Sequence, residues 1–189
     1  MSANALRSER LVLRPWRTED LEAFSRISAD PVAMRHLLPL ADRGASDAYV
    51  RRIEAHITQH GFGFWVVEIP SYKPFIGFVG LMHVGYEAHF TPAVEIGWRL
   101  HPDYWGHGYA TEAARLALRD GFERLDLKEV VALTVHANHR SRGVMERIGM
   151  TRNEEDDFDH PRVPDDHPLR RHMLYRLSRS DWETQNRTS

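Results

Sequence analysis

The chain has 189 residues, 42% of them hydrophobic, with 25 Lys and Arg against 27 Asp and Glu for a net charge of -2. That is enough apolar material for one core in a single domain over 1–189, and the charge balance lacks the concentrated basic footprint of nucleic-acid binders. With no cysteine, disulfides, thiolate metal sites and a cysteine nucleophile are excluded; Met1-Ser2-Ala3-Asn4-Ala5 shows no leader pattern and no apolar run approaches the roughly 20 residues that span a bilayer, so a cytoplasmic protein with neither membrane nor nucleic-acid partner is expected.

Residues 11–14 read as a first strand, ended by Pro15. Thr18-Glu19-Asp20 offers an N-cap followed by acids in the first turn of a helix to about residue 28. A second helix is expected over 46–59, punctuated by Gly61 and Gly63. Residues 64–69 and 76–84 then read as strands of a hairpin joined through Pro70-Ser71-Tyr72-Lys73-Pro74, with Phe62, Phe64 and Trp65 in the core. Next, Val94, Ile96, Trp98 and Leu100 alternate with Glu95, Gly97, Arg99 and His101, the period of a strand with one buried face.

The most informative stretch follows: Pro102-Asp103-Tyr104-Trp105-Gly106-His107-Gly108-Tyr109-Ala110-Thr111-Glu112-Ala113-Ala114. A glycine-spaced turn at a helix start leaves several N–H groups unpartnered and aimed outward, and the helix dipole adds roughly half a positive charge there. Gly106 and Gly108 carry no Cβ to hold a pyrophosphate away, and Ala110 keeps the next position small. Read alone, the pattern is equally a plain tight turn. Ala110, Ala113, Ala114 and Ala117 give a narrow helical face that can lie close on a sheet, extended by Leu118, Phe122 and Leu125, with Glu112, Arg115, Arg119 and Glu123 opposite.

A strand at 129–135, a short helix at 141–148 stopped by Gly149 and a last strand at 172–177 complete an α+β order with a mostly antiparallel sheet. Residues 153–161 place five acids in the six positions from Glu154. Beside a cleft, such a run attracts a cationic amine; otherwise it is a solvated loop, neutralised by Arg152, Arg162, Arg170 and Arg171. Of twelve histidines, His56 and His60 stand four apart on the second helix, His136 and His139 flank Asn138, and His160, His167 and His172 share the acidic region. None completes a recognised ligand spacing, so no metal is expected.

Ala93-Val94-Glu95-Ile96-Gly97-Trp98-Arg99-Leu100, followed by Tyr104-Trp105-Gly106-His107-Gly108-Tyr109-Ala110-Thr111-Glu112-Ala113, resembles the acetyl-CoA signature of the GNAT N-acetyltransferases. It is most similar to the branch containing the ribosomal-protein N-terminal acetyltransferases. The resemblance also covers Ser8-Glu9-Arg10-Leu11-Val12-Leu13-Arg14-Pro15-Trp16, Ile76-Gly77-Phe78-Val79-Gly80 and Asn138-His139-Arg140-Ser141-Arg142-Gly143-Val144-Met145-Glu146-Arg147-Ile148-Gly149-Met150, and so nearly the whole chain. It implies the GNAT fold, with a central sheet of about seven strands whose fourth and fifth members splay into a cleft for acetyl-CoA. It further implies that the pantetheine arm pairs with the backbone of Trp98, Arg99 and Leu100, and that the diphosphate sits on the amides of Gly106, His107, Gly108, Tyr109, Ala110 and Thr111. Asn138 and Arg142 are placed near the cofactor, although they also read as a turn asparagine and a solvated helix residue. Trp105 departs from the Gln or Arg common in the family.

Acetyl transfer needs a neutral amine and a proton donor for the departing CoA thiolate. An α-amino group with a pKa of about 8 is roughly a tenth neutral at pH 7, whereas a lysine near 10.4 is neutral at only a few parts in ten thousand. Glu95 is the candidate base, because in similar enzymes its strand borders the acceptor cleft; its plain reading is a solvated glutamate paired with an arginine. Ser141 matches the serine after Asn138 in this branch and is the candidate donor, or it caps the helix beginning there. Met145 stands where many GNAT enzymes have an acidic tyrosine. The acceptor pocket is expected from loops at 34–44 and 153–169.

The expected activity is transfer of acetyl from acetyl-CoA to a primary amine, either a protein N-terminus or a small amino compound, with a homodimer as a family expectation. Two alternatives stand beside it. One is a non-catalytic acyl-CoA-binding module; the other is a phosphotransferase, against which the turn has no Gly-Lys-Ser/Thr and no magnesium carboxylate beside it.

Overall fold

The computed structural model describes residues 5–187; the opening residues read for a leader pattern lie, apart from Ala5, outside the described residues. The strands are β1 (Leu6–Arg7), β2 (Val12–Arg14), β3 (Phe64–Ile69), β4 (Lys73–His83), β5 (Val94–Leu100), β6 (Glu129–Val135), β7 (Thr151–Arg152), β8 (Phe158–Asp159) and β9 (Arg171–Ser178). The helices are α1 (Asp20–Ala29), α2 (Arg43–His60), α3 (Tyr109–Glu123), α4 (His139–Arg147) and α5 (Arg179–Arg187). All nine strands join one sheet in the order β1-β2-β3-β4-β5-β6-β9-β7, with β8 also on β9. The six longer strands are those read from the sequence, and the count among the described residues exceeds the seven that the resemblance implies because β1, β7 and β8 are added, each two residues long and too short to leave a period in the sequence.

Every pairing is antiparallel except that of β5 with β6, which run parallel and meet at one bridge, Glu95 with Val131. Beyond that bridge the two strands part. Helix α3 lies on one face of the sheet, where Ala113, Ala114, Ala117 and Phe122 are fully buried against Val79, Leu81, Val94, Ile96 and Leu100. Helices α1 and α2 cover the other face, enclosing Trp16, Phe24, Ile53, Phe64 and Phe78. Strand β4 runs between them, and covering on both sides makes seven consecutive residues of it buried.

Local chemistry sets several boundaries differently from the sequence reading. Helix α2 begins three residues before the expected start, because the Asp42 carboxylate accepts the Ala45 N–H at 2.8 Å, and ends at Gly61 in the left-handed region. Helix α1 has no side-chain cap, from Thr18 or otherwise. Its Asp20 is drawn instead into a buried pair with Arg14, at 2.7 and 2.8 Å, and Glu68 takes the Arg14 Nε–H at 2.6 Å. Helix α4 begins at His139 rather than residue 141, and its cap is Asn138, whose side-chain oxygen accepts the Ser141 N–H at 3.2 Å. Ser141 therefore lies in the first turn and its hydroxyl caps nothing. Helix α5 has no counterpart in the sequence reading: its Trp182 stacks 5.1 Å from Phe122 and little else in it is apolar. Among the described residues no helix is long and apolar enough to cross a membrane.

Candidate active site

Where β5 and β6 diverge, the structure opens a cleft of about 840 Å³. One wall belongs to the α3 and α4 side. The turn before α3 holds Gly106 at φ 82 and Gly108 at φ 81, a region that favours glycine. Above Gly106 a Cβ would meet nothing within 4 Å, so the space over the turn is open. The first N–H of the helix to find a main-chain carbonyl is that of Glu112, on Gly108, which leaves the preceding amides for an outside acceptor. Arg10 fixes this turn from the β1–β2 connection: Nε donates to Glu112 at 2.7 Å, Nη1 to the His107 carbonyl at 3.1 Å, and the guanidinium lies over the Tyr109 ring. Ser8 adds a 2.8 Å bond to Glu112.

The exposed edge of β5 supplies a second set of main-chain groups. The His101 N–H bonds the Ile76 carbonyl on the β4 side at 2.9 Å, and antiparallel alternation then turns the amides of Ile96, Trp98 and Leu100 toward the cleft. Ile96 flanks the Glu95 bridge to β6 and the Leu100 carbonyl is taken by the Trp105 indole N–H at 2.8 Å, which leaves Trp98 as the station with both its N–H and its carbonyl open. Arg140 covers the same indole, 5.1 Å from its centroid.

Opposite the turn stands Ser141. Its oxygen accepts from the Trp98 indole N–H and from the Asn138 amide, both at 3.2 Å. A hydroxyl has two lone pairs and one hydrogen, so with both lone pairs engaged this one has only its hydrogen to offer. Met145, where the family's tyrosine would stand, lines the same wall.

The other wall belongs to the α1 and α2 side. Glu95 sits at the point of divergence, on the β5 face turned away from α3, and among the described residues it has no hydrogen-bonding or ion-pair partner. Burial pushes its carboxyl up to about 7, against which Arg162 and Arg52 act weakly from a distance. The sequence's alternative of a glutamate paired with an arginine is thereby not what the structure shows. Arg99 lies on the same face, and its guanidinium stands near Phe24, Tyr49 and Phe78. The rim comes from residues 32–37 after α1.

Of the residues singled out from the sequence, Glu95, Trp98, Arg99, Leu100, Gly106, Gly108, Tyr109, Ala110, Thr111, Asn138 and Ser141 line this one cleft. His107 and Arg142 do not. His107 stacks on Tyr109, and Arg142 bends back to the His136 carbonyl and His139 at 3.4 and 3.3 Å. Asn138 acts through Ser141 as cap and donor. The acidic loop at 153–169 also stays out of the lining, and most of its charges are paired internally. Arg152 binds Asp157 and Glu154, Arg176 binds Asp156, and Arg170 and Arg171 meet Asp159. Arg162, expected among the neutralisers, donates instead to the Gly85 carbonyl. Despite partial burial, bonds from Arg152 and His136 hold the Asp157 carboxyl below the usual range. Of the loop expected at 34–44, Arg35, His36 and Leu37 line the cleft; Val32, Ala33 and Tyr49 were missed, since nothing in their local sequence marks them as facing β5.

The wall beside α3 fits the coenzyme that the sequence motif implies: free amides over open space for an anion, and an unpaired strand station for an extended amide chain. A family model described as an acetyltransferase (GNAT) domain matches residues 10–151. The chain is 30% identical over 184 residues, 94% of its length and 77% of the relative's, to the FsC-acetyl coenzyme A-N(2)-transacetylase of Aspergillus fumigatus. Its structure superposes on that of an acetyltransferase from Agrobacterium tumefaciens with a TM-score of 0.75, at 29% identity and covering 94% of this chain and 95% of that one. The Mycobacterium smegmatis RimJ in complex with CoA-disulfide has the same fold, with a TM-score of 0.75 at 22% identity over 94% and 90% of the two chains.

Proposed function

The chain belongs to the GNAT acetyltransferase family, and from that premise we propose that it moves the acetyl group of acetyl-CoA to a primary amine, with Glu95 as base and Ser141 as proton donor. The observation that carries this reading is Glu95: an unpartnered carboxyl in the cleft with a pKa near 7 is matched to taking a proton at neutral pH. Acetyl-CoA supplies the activated acyl group. The amides of residues 106–111 and the open station at Trp98 hold and orient it. Glu95 takes the proton that the acceptor ammonium must lose before its nitrogen attacks; as the tetrahedral intermediate collapses, the Ser141 O–H gives its hydrogen to the leaving sulfur and its oxygen regains one from the nitrogen, which sheds its second proton in becoming an amide. A passive acyl-CoA-binding module has no use for a carboxylate kept out of water without a partner, a state that costs stability.

Supporting the nitrogen acceptor is the name of the Aspergillus relative, which specifies an N(2) transacetylase. The acceptor belongs to the same proposal: a small amino compound or a peptide N-terminus, the latter suggested by the sequence's likeness to the ribosomal-protein branch. Cytoplasmic residence and a homodimer complete the reading by family analogy. The test is thiol release from acetyl-CoA against a panel of amines and short peptides, ribosomal-protein N-termini included, repeated with Glu95→Gln and Ser141→Ala. Turnover lost in the variants with CoA affinity retained supports an enzyme; no turnover with any acceptor, alongside intact CoA binding, supports the module.

A further inference from the structure

Many of the arginines that line this fold are held by carboxylates. Arg14 has Asp20 and Glu68, Arg152 has Asp157, and Arg176 has Glu129 and Asp156. Arg99 is different. Its surroundings are nearly all protein, and no carboxylate contributes to them. The guanidinium carbon stands 5.4, 5.3 and 5.5 Å from the ring centroids of Phe24, Tyr49 and Phe78. Those rings offset part of the charge's desolvation but accept none of its hydrogens in the plane of the fork. Its one hydrogen bond, from Nη1 to Ser28 Oγ, is 3.4 Å long, and Nε is buried with no partner.

This unsatisfied fork lines the cleft. It stands on the β5 face turned from α3, and so on the acceptor side rather than over the turn that receives the diphosphate. The company it keeps has the same sign. Arg35, Arg140 and Arg147 line the cleft as well, whereas Glu95 is the one carboxylate among the lining residues described. The acidic loop that would have drawn a cationic amine is mostly neutralised and lies elsewhere. A planar fork of donors in a partly buried, cationic recess matches a carboxylate in charge and in shape.

We propose that Arg99 is a specificity-determining residue that receives a carboxylate carried by the acceptor amine, so that the substrates are amino acids or their near relatives rather than simple amines or polyamines. This rests on the acetyl-transfer reading for its meaning, but its test does not need turnover. The carboxylate has two sources, the α-carboxylate of a free amino acid or the acidic side chain of a short peptide. Calorimetry on the full chain, with and without CoA, compares N-acetylalanine with N-acetylalaninamide for the first source. Acetyl-Ala-Glu-amide with acetyl-Ala-Gln-amide serves for the second.

In at least one pair the carboxylate form is expected to bind about tenfold tighter or more, the size of a charge-assisted hydrogen bond. Arg99→Met, which keeps the bulk among the three rings, erases the difference, and Arg99→Lys retains part of it. The pair that responds identifies the source. The proposal is overturned if neither pair shows a preference in the wild-type protein, a result that needs no variant to fold, or if the preference survives in a folded Arg99→Met. If carboxylates bind in this way but no amine is acetylated, the proposed enzymatic function falls and the assignment of Arg99 stands. Turnover without carboxylate preference sinks the assignment alone.

Discussion

The two walls of the cleft offer different kinds of groups for recognition. Beside α3 the working groups are main-chain amides, freed by two left-handed glycines within a single turn. Beside α1 and α2 they are two side chains, Glu95 and Arg99, whose character comes from what the rest of the fold packs around them. The first wall is made by conformation and the second by exclusion of water. One therefore resists side-chain changes and yields to backbone ones, and the other does the reverse.

Changes at each wall can break or sharpen that contrast. Glu95→Gln is expected to lower kcat by roughly 10²–10³-fold, within the range of a positioned base, while calorimetry shows the CoA affinity unchanged. The wild-type kcat/KM should climb as pH rises through about 7, where Glu95 loses its proton, and the variant should lose that limb; equal turnover in both would remove the acceptor wall from the chemistry. The same substitution should stabilise the protein. Because the folded pKa of about 7 lies above the unfolded value near 4.3, the native state holds its proton more tightly. Stability is full below about pH 4.3 and declines as pH rises through 7. A glutamine escapes that decline, so at pH 8 denaturant melts should favour Glu95→Gln by up to about 3 kcal/mol, and the gap should close toward pH 4.

On the other wall, Gly108→Val forces a branched side chain to φ 81, at a cost of about 1–3 kcal/mol. CoA binding should weaken about tenfold in calorimetry while the pH profile of the remaining activity stays in place. A shifted profile would mean that the walls are not separate. Ser141→Ala acts on this same wall, since its oxygen receives Trp98 and Asn138. It should reduce kcat by about tenfold or less, near the worth of one hydrogen bond, with a small loss of thermal stability on a melting curve.

What could be read in the sequence follows the same division. The alternation from Val94 to Leu100, the turn at Gly106 and Gly108, and the small face of α3 are contiguous, so the strand, its boundaries and the amide cradle are legible in the order of residues alone. Glu95 is legible as a candidate by its place on that strand, but its lack of a partner is not. That follows from α2 and from Arg52 and Arg162 standing too far off to pair with it. The acidic run at 154–159 is legible in part: Arg152, Arg170 and Arg171 are read as its neutralisers and pair with it, whereas Arg176, about twenty positions on in strand β9, leaves no local sign. Asn138 and Ser141 illustrate a finer limit. Both are good capping residues three apart, and only the path of the chain leaving β6 decides that the asparagine caps and the serine is released for other work.

The indole of Trp105 on the last carbonyl of β5 has a consequence for measurement in the literal sense. A ladder with several vacant rungs lets a visiting chain slip by two residues and still bond; one with a single vacant rung beside a plugged one indexes it. On the proposed reading, a chain laid along this edge is counted off from Trp98, so its far end arrives at a set distance from the fork of the two strands. The substituent that sets this chain apart from its family's common Gln or Arg thus behaves as the zero mark of a ruler.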